Sequence, residues 1–192
     1  KEQRAKVAQE IWEKARPASP SHAYLVRKGI RQCADIRQTD IRKADFFDDE
    51  SRCGVMRDCL LVPIEGDYGI RSLEAIPPIG KKMLMKNGEV AGNYHIIPGG
   101  SDTVYVVEGW GTGASVHAAT GSMVIVAFSS SGLLKAAKRV RSEMPGARLV
   151  IAGDNDRKPD GSNPGRAAAE AAAEATGADV LLPEFAANEE GS

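Results

Sequence analysis

Three acidic residues in the second half of the chain, Glu108, Asp154 and Asp156, stand where two apolar runs end. Val104-Tyr105-Val106-Val107 leads into Glu108-Gly109, and Leu149-Val150-Ile151-Ala152 leads into Gly153-Asp154-Asn155-Asp156. In an open parallel sheet the ligand site lies beyond the carboxyl ends of the strands. If these two runs are neighbouring strands, the three carboxylates meet at one edge. Two carboxylates about 4 Å apart repel by about 4 kcal/mol at an effective dielectric near 20, so three of them need a neutralising cation or raised pKa values. Hard oxygen donors suit Mg²⁺, which binds through one or two carboxylates and substrate phosphates. Ions held in this way serve phosphoryl and nucleotidyl transfer.

The glycines support the same chemistry. Gly109, Gly111 and Gly113 permit close backbone approach after the glutamate, and Gly153 lets the chain turn into the Asp-Asn-Asp segment. Asn163-Pro164-Gly165 reads as a helix N-cap, a proline at the first helical position and a small residue, with backbone N–H groups able to face a phosphate. Taken singly, Glu-Gly after a strand or Asp-x-Asp in a loop is an ordinary turn. Their occurrence at successive strand ends about 45 residues apart is the stronger signal.

The elements that must position these acids are an alternation of strands and helices. Strands are predicted over 104–107, 123–128, 149–152 and 180–182, with helices over 112–120, 133–143 and 164–176. Continuous apolar strands between helices mark a parallel sheet covered on both faces. Upstream, residues 3–15 place Val7, Ile11 and Trp12 at helical spacing, and a short helix opens near His22 and ends near Gly29. Residues 30–58 are unreadable. CLLVPIE, a turn at 66–69 and IRSLEAI read as a hairpin, and 81–86 with 94–97 as a further strand pair. Gly99-Gly100 is a natural boundary.

Bulk properties exclude little. The chain has 192 residues, 42% of them hydrophobic, and a net charge of −1, so total charge carries no argument for nucleic acid. Residues 1–100 hold 17 Lys and Arg against 14 Asp and Glu, and residues 101–192 hold 8 against 12. A mildly basic front half precedes an acidic back half. Cys33, Cys53 and Cys59 lack the spacing of a zinc site and read as free thiols in a reducing cytoplasm. His22, His95 and His117 have no companions at ligand spacing and read as structural. No run of apolar residues is long enough for a membrane span, and the amino terminus lacks signal-peptide character. A start at Lys1 and an end at Gly191-Ser192 read as a fragment of a longer polypeptide.

VVEGWGTGASVHAATG, followed by VIVAF and LVIAGDND, resembles the TOPRIM domain of primases, topoisomerases, OLD-type nucleases and recombination mediators. HAYLVRKGI (22–30), LVPIEGDYGIRSLEAI (61–76) and GKKMLMKNGEVAGNYHII (80–97) are similar to the segments preceding that domain in primases of phages, plasmids and integrative elements. The implied fold is α/β: a Rossmann-like TOPRIM domain over 101–185, with a mainly parallel sheet and helices on both faces. A smaller α+β subdomain precedes it over 1–100, and a tail follows over 186–192.

The implied activity is DNA primase, a nucleotidyltransferase making RNA primers from NTPs on single-stranded DNA. Glu108, Asp154 and Asp156 would be both catalytic and metal-binding, with Mg²⁺ as cofactor and Mn²⁺ able to substitute. Lys82, Lys81 and Arg71, then Lys86, would contact template and nucleotide, and Gly109 would allow close approach of the nucleotide. A replicative helicase, fused or separate, is the implied partner. Two departures stand out: Glu-Gly-Trp-Gly-Thr replaces the usual Glu-Gly-Tyr-Ala-Thr, and Ser129-Ser130-Ser131 replaces an aspartate after the second strand, with Ser130 or Ser131 read as a helix cap. A metal-dependent TOPRIM nuclease and a non-catalytic nucleic-acid-binding module are the competing readings. Each basic residue has a plain alternative as part of a solvated strand face, and Trp110 and Tyr94 are read as packed aromatics ahead of base-stacking ones. Arg157 and Lys158 either meet phosphate or offset local charge.

Overall fold

The computed structural model describes residues 1–47, 54–155 and 160–183. Asp156, Cys53, Arg157, Lys158 and the tail over 186–192 lie outside the described residues. The chain divides into two compact units, Lys1–His95 and Ile96–Ser192, each of which has its own sheet.

In the first unit α1 (Glu2–Lys14) buries Ala5 and Ala8. Val7, Ile11 and Trp12 pack, partly buried, against a core of Ile41, Phe46, Cys59, Leu61, Ile70, Leu73 and Met85. β1 (Arg16–Pro17) follows, then α2 (Ala23–Lys28). His22 caps α2 by accepting from the Tyr24 N–H, and Gly29 ends it with a φ of 66°, a left-handed conformation that glycine adopts at little steric cost. β2 (Arg37–Arg42), β3 (Val55–Gly66), β4 (Gly69–Ile76) and β5 (Met83–Leu84) complete an antiparallel sheet in the order β1-β2-β3-β4-β5. The β3–β4 hairpin follows the predicted run, with Leu61 opposite Ala75 and Pro63 opposite Leu73.

The predicted pairing of 81–86 with 94–97 does not form. Met83 and Leu84 pair instead with Ala75 and Glu74 of β4, Tyr94 bridges to Glu65, and β6 (His95–Ile97) joins the sheet of the second unit. Two- and three-residue strands satisfy few backbone groups by themselves, so they settle as edges on longer strands already present. β2, in the stretch that sequence left unreadable, pairs with β3 through Arg37–Leu61 and Thr39–Cys59, with an irregularity before Ile41. That break interrupts the period of two on which strand recognition rests.

The second unit alternates strand and helix: β7 (Gly100–Val107), α3 (Trp110–Thr120), β8 (Ser122–Val126), α4 (Ser130–Glu143), β9 (Arg148–Ala152), α5 (Pro164–Thr176) and β10 (Asp179–Leu181). Its sheet runs β10-β9-β7-β8-β6. β7 pairs in parallel with β8 and with β9, and β9 in parallel with β10. Val104, Val106, Val124, Val126, Leu149 and Ile151 are almost wholly buried, as strands covered on both faces require. The chain steps from β7 to β8 in one direction and from β8 back across β7 to β9 in the other. Right-handed crossovers in opposite directions place α3 on one face and α4 and α5 on the other. The mutual packing of α4 and α5 accords with this.

Candidate functional site

Glu108 and Asp154 sit at the carboxyl ends of adjacent strands. Val107 of β7 is in register with Ala152 of β9, so Glu108 leaves the sheet beside Gly153, one residue before Asp154. The helices that follow these two strands lie on opposite faces, which makes the β7/β9 boundary a topological switch point, the place where open α/β sheets bind ligands. Both residues are partly exposed. Asp156, the third predicted acid, lies outside the described residues, and among the described residues no three His, Cys, Asp or Glu side chains close into a metal-binding cluster.

The backbone around the acids is held tightly. The β7–β8 ladder continues past the strands, with the Ala127 N–H donating to the Val107 carbonyl and the Phe128 N–H to the Glu108 carbonyl, each at 2.8 Å. Gly109 is the N-cap of α3. A Cβ at Gly113 would press on Val107, Ile97 and Val124 at 3.1–3.3 Å, so its absence lets α3 lie close on the sheet. On the β9 side, a Cβ at Gly165 would stand 2.7 Å from the Asp154 carbonyl oxygen, and one at Gly153 would stand 2.6 Å from the Ala169 Cβ. The first turn of α5 therefore rests directly on the Asp154 backbone. Asn163 caps α5 by accepting from the Arg166 N–H at 3.0 Å and donates to Asn155 Oδ1 at 2.6 Å, while Asn155 donates to the Pro183 carbonyl at 2.9 Å.

A side chain that spacing did not point to meets Glu108. The Ser130 hydroxyl donates to Glu108 Oε2 at 3.0 Å. The cap of α4 is Ser129, which accepts from the Gly132 N–H, so the sequence assignment of the cap to Ser130 or Ser131 is displaced by one residue. The three serines look alike in sequence, and only the path of the chain after β8 separates their roles. Trp110 is fully buried, which removes it from base stacking.

The predicted cations all belong to the first unit. Arg71 donates through Nε to Glu89 at 2.8 Å and through Nη2 to Glu2 at 2.7 Å, and Nη2 also pairs with Glu89. The Arg71 guanidinium holds both carboxyls below their usual range, and their charges hold Arg71 more firmly protonated than an ordinary arginine. These pairs fasten α1 to β4 and to the segment after β5, beside an open cleft of about 800 Å³ lined in part by Lys1, Arg4 and Arg71. Lys81 is exposed. Lys82 is half exposed, with Nζ 3.4 Å from Glu74 Oε1. Glu74 is only 3% exposed, and burial pushes its carboxyl up, against the opposing pull of Lys82. Its other oxygen is buried without a hydrogen-bond partner. The Lys86 backbone carbonyl and N–H bond to Arg4 and to the Asp45 carbonyl.

Each histidine has a hydrogen-bond partner within the protein. Besides capping α2, His22 meets the Asp58 carbonyl through Nε2 at 2.7 Å; His95 Nε2 meets Asp35 at 2.9 Å, and His117 Nδ1 meets the Ser122 carbonyl at 2.8 Å.

Comparison with known proteins extends this picture. Residues 103–189 match the Toprim domain model. Two proteins named DNA primase TraC from Escherichia coli are similar in sequence: one is 36% identical over 124 residues, covering 60% of this chain and 8% of the relative. The other is 34% identical over 127 residues, covering 62% and 12%. Sixty per cent of the chain is more than either unit contains, so the similarity crosses from one unit into the other. The chain spans about a tenth of the length of these relatives. Among solved structures, the DnaG catalytic core matches 98% of this chain and 73% of that chain, with a TM-score of 0.58 and 13% identity. The DnaG primase catalytic domain bound to ssDNA matches with a TM-score of 0.54 and 11% identity, over 98% of this chain and 74% of that one. The fold is that of the DnaG catalytic core, residues 103–189 are similar to the Toprim domain, and the sequence relatives that share parts of both units are named DNA primase.

Proposed function

We propose that this chain is the catalytic core of a DNA primase of the plasmid or mobile-element kind, which joins ribonucleotides into short primers on single-stranded DNA. The observation that carries the reading is the register of β7 with β9, which brings Glu108 and Asp154 to one rim of the sheet at its switch point. The names of the sequence relatives support the same activity.

In this reading residues 101–185 hold the metal and residues 1–100 hold template and nucleotide. Glu108, Asp154 and Asp156 would hold Mg²⁺, with Mn²⁺ able to replace it. Glu108 and Asp154 fit such an ion: both leave adjacent strand ends and both are partly exposed. Held by these carboxylates, such an ion would supply Lewis-acid chemistry for nucleotidyl transfer. Gly109, the buried N-cap of α3, carries the chain from Glu108 into that helix.

Lys81 and Lys82, with Lys86, meet the phosphates of template or triphosphate. Glu74 holds Lys82 at one angle, which reduces the rotamer freedom the lysine loses on binding. Arg71, bound on two sides by carboxylates, reaches phosphate only by giving up Glu2 or Glu89. A replicative helicase, in the same polypeptide or separate, would deliver the single strand.

The test is direct. The protein with single-stranded DNA, NTPs and Mg²⁺ yields short RNA, and Glu108→Gln or Asp154→Asn abolishes the product while circular dichroism and melting stay close to wild type. Metal-dependent cleavage of the DNA without NTP incorporation would assign a nuclease instead. Absence of any Mg²⁺ response in a thermal-shift titration would assign a non-catalytic module.

A further inference from the structure

The turn between β8 and α4 bonds twice to Glu108. Phe128 adopts a φ of 60°, a left-handed conformation that is uncommon for a bulky residue and is maintained only where its surroundings enforce it. In that conformation its N–H donates to the Glu108 carbonyl at 2.8 Å. The chain then reverses into α4: Ser129 caps the helix, and Ser130, the first helical residue, turns its hydroxyl back to Glu108 Oε2 at 3.0 Å. Gly132 allows the reversal to be this tight, because a Cβ there would collide with the Ala127 carbonyl oxygen. One strand end thus holds both the backbone and the carboxylate of its neighbour.

We propose that Ser130 is a positioning residue for Glu108: by donating to Oε2 it fixes the rotamer of the carboxylate and directs Oε1 toward a divalent cation. This rests on the reading of Glu108 as a metal-binding residue. The physical reason is general. A glutamate has three side-chain torsions to immobilise when it binds a cation, and a hydroxyl already bound to one oxygen removes part of that entropic cost. Groups that orient a metal ligand in this way typically change metal affinity or activity by about 10- to 100-fold when lost.

The experiment measures Mn²⁺ binding to the whole chain by electron paramagnetic resonance, together with the Mg²⁺ dependence of primer synthesis. Ser130→Ala is expected to weaken Mn²⁺ about 10-fold and to raise the Mg²⁺ needed for half-maximal rate by a similar factor. It leaves the KM for NTP within about twofold, as a variant that touches neither base nor phosphate should. Ser130→Thr, which keeps the hydroxyl, restores Mn²⁺ affinity to near the wild-type value. Ser131→Ala, which removes the next hydroxyl along, leaves it unchanged. Wild-type Mn²⁺ affinity in Ser130→Ala, in a protein where Glu108→Gln loses the ion, would overturn the role of Ser130 alone. Wild-type Mn²⁺ affinity in Glu108→Gln would overturn the metal site and the Ser130 role with it.

Discussion

The candidate site residues of the two units are held in different ways. At the strand ends of the second unit, Glu108 meets a neutral hydroxyl, and the backbone of Asp154 is braced by a glycine of α5. In the first unit, Arg71 of β4 lies between two carboxylates, and Lys82, just before β5, lies against a buried one. The partners of Arg71 come from outside the sheet, Glu2 from α1 and Glu89 from the segment after β5, whereas Lys82 meets Glu74 of β4. In the proposed reading the acidic rim accepts a cation, whereas Arg71 and Lys82 already have carboxylate partners within their own unit.

This contrast can be challenged at four points, taken from the largest expected effect downward. Glu108→Gln or Asp154→Asn should lower primer synthesis by at least about 100-fold, since even groups that only orient a metal ligand cost about 10- to 100-fold; the melting temperature should hardly change. A loss of only a few-fold would remove the acidic rim from the chemistry.

Gly165→Ala places a Cβ against the Asp154 carbonyl, an overpacking expected to cost about 1–3 kcal/mol in urea unfolding. It should also weaken Mn²⁺, because relief of the clash must move either α5 or the Asp154 backbone. A stable Gly165→Ala protein with normal Mn²⁺ binding would show that the loop has room to adjust.

The cations should separate by their partners. Lys81→Ala should weaken single-stranded DNA binding a few-fold and reduce the slope of affinity against log salt by about 0.7, and Lys82→Ala should reduce it by less, because Lys82 is shared with Glu74. Arg71→Met should lower thermal stability and leave that slope as it is, because its charge is committed to Glu2 and Glu89. An equal loss of salt slope in Arg71→Met would show that those ion pairs open for phosphate.

The smallest effect concerns Glu74. Its folded pKa is raised by burial, so the folded chain binds a proton more tightly than the unfolded chain does. Stability at this residue is therefore fully present below the ordinary carboxylate range and is lost as pH rises through the raised folded value. Glu74→Gln should remove that decline, leaving the variant more stable than wild type at pH 7.5 and equal to it at acid pH. A variant less stable than wild type at pH 7.5 would mean that the Lys82 contact outweighs the cost of burial.

Local pattern determined a good deal. The alternation of strands and helices after residue 100, the β3–β4 hairpin and the position of two acids at strand ends were legible, because each is written in side chains a few residues apart. The same local evidence misdirected the pairing of 81–86 with 94–97 and missed β2, whose period is broken near Thr39. Tertiary structure alone decided that β7 lies between β9 and β8, that Ser130 and not Ser131 reaches Glu108, and that Arg71 meets residues from both α1 and the segment after β5. Periodicity records which face of an element is buried, but strand order and ion-pair partners are contacts between distant segments. No short stretch of sequence contains both members of such a contact.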